Sequence, residues 1–344
     1  MPNSLVRIHA DPAILVKDWF KNQSFTQLAV LVDANTRQQC LPTLGPHLPA
    51  HEIIEVPAGE RHKNLATCSE IWQYLTDLHF DRHAMLLVLG GGVLGDMGGF
   101  CAATYKRGIR FVLMPTTLLS QVDASVGGKL GIDFGSYKNH IGVFQQPAVT
   151  LISPAFLKTL PWRELRSGFA EIIKHCLIAD RGKWESIRQS SLEEQDWQTL
   201  IPHSIRIKEQ ITTEDPTEKE LRKTLNFGHT IGHALETLFL DTEHRLFHGE
   251  AIAAGMIAEA FIANRKKLLT ADDLQQITSY VREVFGKIPG IYERAEVIRL
   301  ARQDKKNKGS RILMALPEGL GKCVWDVEVS EGEINDALEF YRAL

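Results

Sequence analysis

Apolar residues in the first half of the chain fall into short runs closed by turn residues. Leu28-Ala29-Val30-Leu31-Val32 is followed by Asp33-Ala34-Asn35-Thr36, and Met85-Leu86-Leu87-Val88-Leu89 by three glycines. Runs of this length without polar alternation predict strands buried on both faces. Ile109 to Met114 is a third such run, and His51 to Val56 a weaker one ahead of Pro57-Ala58-Gly59-Glu60. Leu65, Cys68, Ile71, Trp72 and Leu75 recur at helical spacing within Asn64 to Leu78. Strands alternating with helices predict a parallel-rich sheet in an α/β domain. From Pro161 helical periodicity takes over, with candidate helices from Trp162 to Ile178, Trp184 to Ser190, Trp197 to Thr212 and Ala251 to Lys267. The expected organisation is an α/β domain over residues 1–160 and an all-α domain over residues 161–344.

Composition narrows the class without changing this picture. The 344 residues suffice for two domains with substantial cores, and 44% hydrophobic with 24% charged residues is ordinary for a globular protein. A net charge of -3 gives no footprint of a nucleic-acid surface. The five cysteines are scattered and form no C-x-x-C, which favours reduced thiols over a disulfide framework. No apolar run reaches the roughly 18 residues of a membrane span. No basic segment precedes an apolar one at the N-terminus. The expectation is a cytoplasmic protein with neither nucleic-acid nor membrane partners.

Two stretches carry candidate chemistry in the first domain. Gly90-Gly91-Gly92-Val93-Leu94-Gly95-Asp96 fits G-x-G-x-x-G between a strand and a helix, a turn whose free N–H groups suit a pyrophosphate. An ordinary tight turn would read the same. In a standard dinucleotide site the next strand ends in an acid that holds the ribose. Here that strand ends in Pro115-Thr116-Thr117, so Asp33 is the better ribose candidate and the site is expected to be non-standard. Further on, Gly127-Gly128 precedes Lys129, which could reach a phosphate or simply sit solvated on a flexible loop.

In the second domain the organising stretch is Asn226-Phe227-Gly228-His229-Thr230-Ile231-Gly232-His233. Its two histidines are four apart, hence on one helical face. A third histidine, His248, stands in His248-Gly249-Glu250 at the start of the apolar run Ala251 to Ile262, and Glu171 offers a carboxylate upstream. Imidazoles with one carboxylate suit a zinc-type divalent metal. The spacing by itself pairs His229 with His233. Thr230 stands where H-E-x-x-H requires glutamate, which argues against a metalloprotease. Glycine at 228 and 232 weakens a helix, so something is expected to approach the backbone closely there. Arg222 precedes Asn226 by four residues and could share a face with it and with His229. Lys208 and Arg222 flank a turn-rich acidic stretch, and residues 304–308 form a basic patch whose default reading is solvated charge. A metal, a nicotinamide site and several cations together imply a small anionic, phosphorylated substrate.

In combination these blocks resemble the 3-dehydroquinate synthases, sugar-phosphate cyclases of the shikimate pathway. The matching segments are Gly59-Glu60, Gly90 to Asp96, Arg107-Gly108, Pro115 to Leu119, Asp123 to Lys129, Lys138-Asn139, Ser167 to Glu171, Leu225 to His233 and His248-Gly249-Glu250. Leu130 and Tyr137 depart from residues common in the family. The resemblance implies NAD and a divalent metal, zinc or cobalt, as cofactors. It implies Glu171, His229 and His248 as metal ligands, with His233 facing substrate instead. It implies that Asp123, Lys129, Asn139, Lys174, Lys208, Arg222, Asn226, His233 and Lys306 serve the substrate. NAD would be held by Asn35, Glu60, Lys63, Gly91, Gly92, Val93, Asp96, Thr116, Thr117, Lys138 and Thr159, with Asp33 and Lys129 also candidates. Arg107 resembles an arginine that reaches the partner subunit's phosphate site, which implies a homodimer. The implied reaction turns a heptulosonate phosphate into a cyclic ketone acid by transient oxidation, phosphate elimination, reduction and aldol closure, with the leaving phosphate as base. Rival readings are a sister cyclase on another sugar phosphate, a metal-dependent polyol dehydrogenase, and a non-enzymatic metal- or nucleotide-binding module.

Overall fold

The structure, a computed structural model, describes residues 5–124, 127–135, 137–288, 292–302 and 311–344. Lys306 and the basic patch around it lie outside the described residues. The chain divides into two compact units, Met1–Pro161 and Trp162–Leu344.

The strands of the first unit are β1 (Val6–Ile8), β2 (Leu28–Asp33), β3 (Glu52–Val56), β4 (Met85–Gly90), β5 (Arg110–Pro115), β6 (Lys129–Phe134), β7 (Tyr137–Phe144) and β8 (Val149–Ile152). Its helices are α1 (Pro12–Phe20), α2 (Ala34–Gln39), α3 (Leu41–Leu44), α4 (Leu65–Asp77) and α5 (Gly92–Thr104). Six strands form one parallel sheet in the order β1-β8-β5-β4-β2-β3. Alternate residues of β2 and β4 enter two separate apolar layers: Leu28, Val30, Val32, Met85, Leu87 and Leu89 one, Ala29, Leu31, Leu86 and Val88 the other. Burial on both faces is why these strands read as unbroken apolar runs. From β2 the chain steps outward to β3, and from β4 it steps the other way to β5. The carboxyl ends of β2 and β4 therefore flank a topological switch point, where open α/β sheets bind ligands.

One segment departs from expectation. The stretch around Lys129, read as a possible flexible loop, belongs to the antiparallel hairpin β6–β7. Leu130 and Ile132 alternate inward into the apolar layer beneath α5, while Lys129, Lys138 and Asn139 stay exposed. The missing side chain of Gly99 leaves the space that Leu130 fills. Glycine and lysine content had masked this period of two.

The second unit contains α6 (Trp162–Ala179), α7 (Arg181–Ile187), α8 (Trp197–Glu214), α9 (His229–Phe239), α10 (His248–Arg265), α11 (Ala271–Phe285), α12 (Arg294–Ala301) and α13 (Glu331–Ala343). It is helix-rich, as expected, but not all-helical. Strands β9 (Ile312–Pro317) and β10 (Cys323–Val329) pair antiparallel. Every residue of β9 is buried, so its apolar run carries no alternation to separate it from a helix. Helix α10 packs against α6, α9, α11 and α13. Its Ala- and Gly-rich sequence allows those approaches: a side chain on Gly255 would strike the carbonyl of Gly228.

Candidate active site

In the first unit the expected dinucleotide residues gather at the carboxyl ends of the parallel strands. Asp33 ends β2, Asn35 is the second residue of α2, and Gly91, Gly92, Val93 and Asp96 follow β4. Thr116 and Thr117 follow β5, and the Thr116 N–H donates to the Gly90 carbonyl at 3.0 Å. Gly91 is the N-cap of α5 and supplies no side-chain cap to its first-turn amides. A side chain on Gly91 would lie 3.0 Å from the Thr117 methyl, so the turn admits only glycine without a shift. A close backbone approach with uncapped amides suits a pyrophosphate. Asp33 uses Oδ1 to cap α2 through the Thr36 N–H at 2.8 Å. Thr159 lies in a 3-10 turn after β8, and its hydroxyl donates to the Phe156 carbonyl.

Lys63, only 4% exposed, anchors a polar cluster at this end of the sheet. Its ammonium donates to Asp96 Oδ2 and to Asn139 Oδ1, each at 2.6 Å. Asn139 takes a left-handed φ of 51°, and its N–H donates to Asp133 Oδ1 at 2.7 Å. Burial pushes the Asp96 carboxyl up, Lys63 pulls it back, and Glu60 and Asp123 add to the rise, leaving it above its usual range. Lys138 lies 4.0 Å from Glu60. Asp123 sits in a π-helical turn, Ser120–Ala124, a form that occurs often at functional sites. Lys106 and Arg107 take consecutive left-handed conformations, φ 49° and 68°, and both side chains are exposed.

In the second unit the candidate ligands come from three helices. Glu171 is on α6, His229 is the first residue of α9, and His248 is the first residue of α10. Their ligand atoms lie within 4.8 Å of one another. Both histidines point Nε2 at Glu171 Oε1, each at 3.6 Å. That oxygen is buried and accepts no hydrogen bond, while Oε2 is engaged by the Lys174 ammonium. The outer ring nitrogens are also engaged: His229 Nδ1 contacts the Phe227 carbonyl at 3.0 Å, and His248 Nδ1 contacts Glu236 Oε2 at 3.2 Å. A carbonyl can only accept, so Nδ1 of His229 carries a proton, and in the neutral imidazole Nε2 is the nitrogen with the lone pair. Burial would raise the Glu171 carboxyl, but Lys174 and His248 hold it well below the usual carboxylate range. Burial disfavours charge on His248, yet Glu171 and Glu236 outweigh it and push its pKa up to about 10. An orphaned oxygen faced by two imidazoles fits a divalent cation with coordination positions to spare.

His233 is exposed one turn along α9, its ring centroid 5.0 Å from that of His229 and 5.9 Å from that of His248. The groups that lie close enough to share a metal are Glu171, His229 and His248, drawn from three helices, and a second set, His233, Glu236 and His248, that overlaps it at His248. Arg222 and Asn226 do not continue the histidine helix, because they sit in a separate 3-10 turn, Leu221–Asn226. Gly228 breaks the path at φ 79°, and a side chain there would collide with Met256. The close approach expected at Gly228 and Gly232 is thus made by α10, not by a ligand.

Three candidate substrate-binding cations of this unit are buried. Lys174 is 1% exposed, Lys208 7% and Arg222 5%, values that ordinary solvated charges do not reach. The elements carrying them, α6, α8 and the 3-10 turn, pack against one another. Asp215 accepts the N–H groups of Lys219, Glu220 and Arg222, and Arg222 donates to the Pro216 carbonyl at 2.9 Å. Asn226 donates to Glu218 Oε1 at 2.9 Å.

The sequence assigned no role to the residues that join these groups, although Ser167, Gly249 and Glu250 stand in its matching segments. Glu250 accepts from Arg163 and Arg166 of α6, joining the start of α10 to the helix that carries Glu171. The Gly249 N–H donates to Ser167 Oγ at 2.9 Å. Glu236 and Glu259 read in sequence as ordinary helix charges. Glu236, three residues past His233, was within reach of a helical-face argument; its contact with His248 was not.

Known proteins match this architecture along the whole chain. The profile described as 3-dehydroquinate synthase N-terminal matches residues 53–167, and that described as 3-dehydroquinate synthase C-terminal matches residues 168–307. The chain is 36% identical to the 3-dehydroquinate synthase of Parabacteroides distasonis, over 95% of this chain and 94% of the relative. It is 42% identical to that of Acetivibrio thermocellus, over 83% and 80%. Among solved structures, a 2-epi-5-epi-valiolone synthase from Streptomyces hygroscopicus with NAD+ and Zn2+ bound superposes with a TM-score of 0.86 at 27% identity, covering 100% of this chain and 98% of that one. A probable glycerol dehydrogenase from Sinorhizobium meliloti shares the fold at 16% identity, with a TM-score of 0.63 and coverage of 100% and 98%. With both profiles matched in order and full-length relatives at this identity, the chain belongs to the 3-dehydroquinate synthase family.

Proposed function

We propose that the chain converts 3-deoxy-D-arabino-heptulosonate 7-phosphate to 3-dehydroquinate and inorganic phosphate. The reading rests on family membership, and one observation of the site carries it: the second unit combines a metal-type triad with two further buried cations, Lys208 and Arg222. A polyol dehydrogenase needs a metal and a nicotinamide but has no use for Lys208 and Arg222 in its interior. A phosphorylated sugar acid brings a phosphate and a carboxylate that such cations match.

When bound, NAD supplies a reversible hydride acceptor and the metal a Lewis acid for substrate oxygens. In this reading the first unit holds the dinucleotide, with the Gly91 turn at the pyrophosphate and the cluster of Lys63, Asp96 and Asn139 beside it. The second unit holds the metal through Glu171, His229 and His248. Lys174 keeps Glu171 ionised as a ligand. Lys208 and Arg222, with Asn226 and His233, bind and orient the substrate's anionic groups and hydroxyls. The exposed guanidinium of Arg107, in the left-handed pair Lys106-Arg107, supports a role in a neighbouring subunit's site, and the working unit in this reading is a homodimer. We place the protein in the cytoplasm on its five unpaired buried cysteines.

The test is turnover. Given heptulosonate phosphate, metal and trace NAD, the enzyme should release phosphate in large excess over the NAD present, without accumulating NADH. Stoichiometric NADH with no phosphate release would favour the polyol dehydrogenase. A sister cyclase is separated by its substrate: activity on a sugar phosphate lacking the carboxylate, with none on the heptulosonate, would favour that reading.

A further inference from the structure

The two candidate histidine ligands are oriented by unlike groups. His229 gives its outer nitrogen to a backbone carbonyl two residues away, which no substitution can remove. His248 gives its outer nitrogen to the side chain of Glu236, twelve residues away on α9. Gly249 cannot turn the ring: it is pinned to Ser167, and any side chain on it would strike the α6 backbone. The backbone at His248 is thus fixed, and rotation about its side-chain bonds is the remaining freedom. A carboxylate that accepts Nδ1–H fixes that rotation, sets the tautomer with Nε2 as lone pair, and makes the imidazole a stronger donor.

We infer that Glu236 is a positioning residue of the metal site, holding His248 so that Nε2 faces Glu171. Glu236 itself lies outside the triad. Its carboxylate is nevertheless within ligand distance of His233 and His248, so direct ligation is the competing role. The two roles respond differently to substitution. A Glu236→Gln amide keeps an oxygen that accepts Nδ1–H but is a poor zinc ligand. Glu236→Ala removes both capacities.

The inference rests on the metal reading above, and the experiment separates the two. The full-length protein is stripped with a chelator, and zinc affinity is measured by competition with a chromophoric chelator, alongside the thermal midpoint of each apo-variant. Glu236→Ala should weaken zinc by about 10- to 100-fold, and Glu236→Gln should recover most of that loss. His229→Ala serves as the control and should lose zinc almost entirely. Unchanged affinity in Glu236→Ala, whatever its thermal midpoint, overturns the inference. Equal losses in Glu236→Ala and Glu236→Gln overturn it in favour of ligation. Zinc retained by His229→Ala at wild-type affinity overturns the metal reading itself.

Discussion

Glu259 of α10 accepts the backbone N–H of Gly228 at 2.6 Å and that of Ile231 at 3.0 Å, capping α9 from a neighbouring helix. Gly228 is the N-cap, and any side chain there would meet Met256, so the cap must come from elsewhere. Glu259 is wholly buried, and His229 is the first residue of the helix it caps. Bonds between amides and a charged acceptor are the stronger kind. Glu259→Ala should therefore destabilise the protein by roughly 3 kcal/mol, and Glu259→Gln by less, because one acceptor remains. Urea unfolding measures both. A loss below about 0.5 kcal/mol for the alanine variant would show that the cap is unimportant.

Gly249 should tolerate no side chain. The smallest substitution, Gly249→Ala, drives a methyl into the Ser167 backbone of α6. That displaces His248 from Glu171, one residue from the clash. Overpacking of this kind typically costs about 1–3 kcal/mol. The variant should show a lower thermal midpoint and weaker zinc binding together. Wild-type zinc affinity in a folded variant would show that the α6–α10 contact does not set the triad.

Metal content should distinguish the triad from the spacing pair. Elemental analysis of Glu171→Gln and His248→Ala should show most of the metal lost, and His233→Ala should retain it. Loss in His233→Ala with retention in His248→Ala would restore the pairing that the i, i+4 spacing suggests.

Arg107 should act on a second subunit. Arg107→Ala and His229→Ala are each expected to be inactive as homodimers. After subunit exchange some activity should return, because one site in each heterodimer regains both groups. Demonstrated exchange with no recovery would place Arg107 in its own chain's chemistry.

The alkaline limb of stability should carry a cysteine signature. Burial, reinforced by Asp33, pushes the Cys40 thiol from 9.0 up to about 12. A group whose folded pKa is raised contributes stability that is full below its unfolded value and is lost as pH rises towards the folded one. The protein should lose stability above pH 9.0, where the unfolded thiol ionises and the folded one does not. Cys40→Ala should flatten the fall in urea midpoint between about pH 8 and about pH 11 relative to wild type. Parallel curves for the two proteins would show that Cys40 is not held neutral by the fold.

The parts legible in the sequence were those where local pattern and tertiary need coincide. β2 and β4 are buried on both faces, so their composition alone marked them as parallel-sheet strands, and the glycine turn after β4 marked the ligand end of that sheet. α4 and α6 announced themselves by period, and the residue types Glu171, His229 and His248 announced a metal. The ordered blocks announced the family. What the tertiary structure decided was which of these groups meet. Spacing paired His229 with His233 because neighbours on one helix are all that a one-dimensional pattern can see. That Glu171 and His248 also lie beside His229 follows from three packed helices, through contacts that join residues far apart in the chain. Gly228 and Gly232 read as room for a ligand, and only the packing of α10 showed what fills that room. The β6–β7 and β9–β10 hairpins were hidden for opposite reasons: one has too many glycines and lysines for its alternation to show, the other is too buried to alternate. Glu236 and Glu259 look in sequence like ordinary charges on helices. Their roles exist only where α9 lies against α10, because a carboxylate acquires a specific task from the donor it faces.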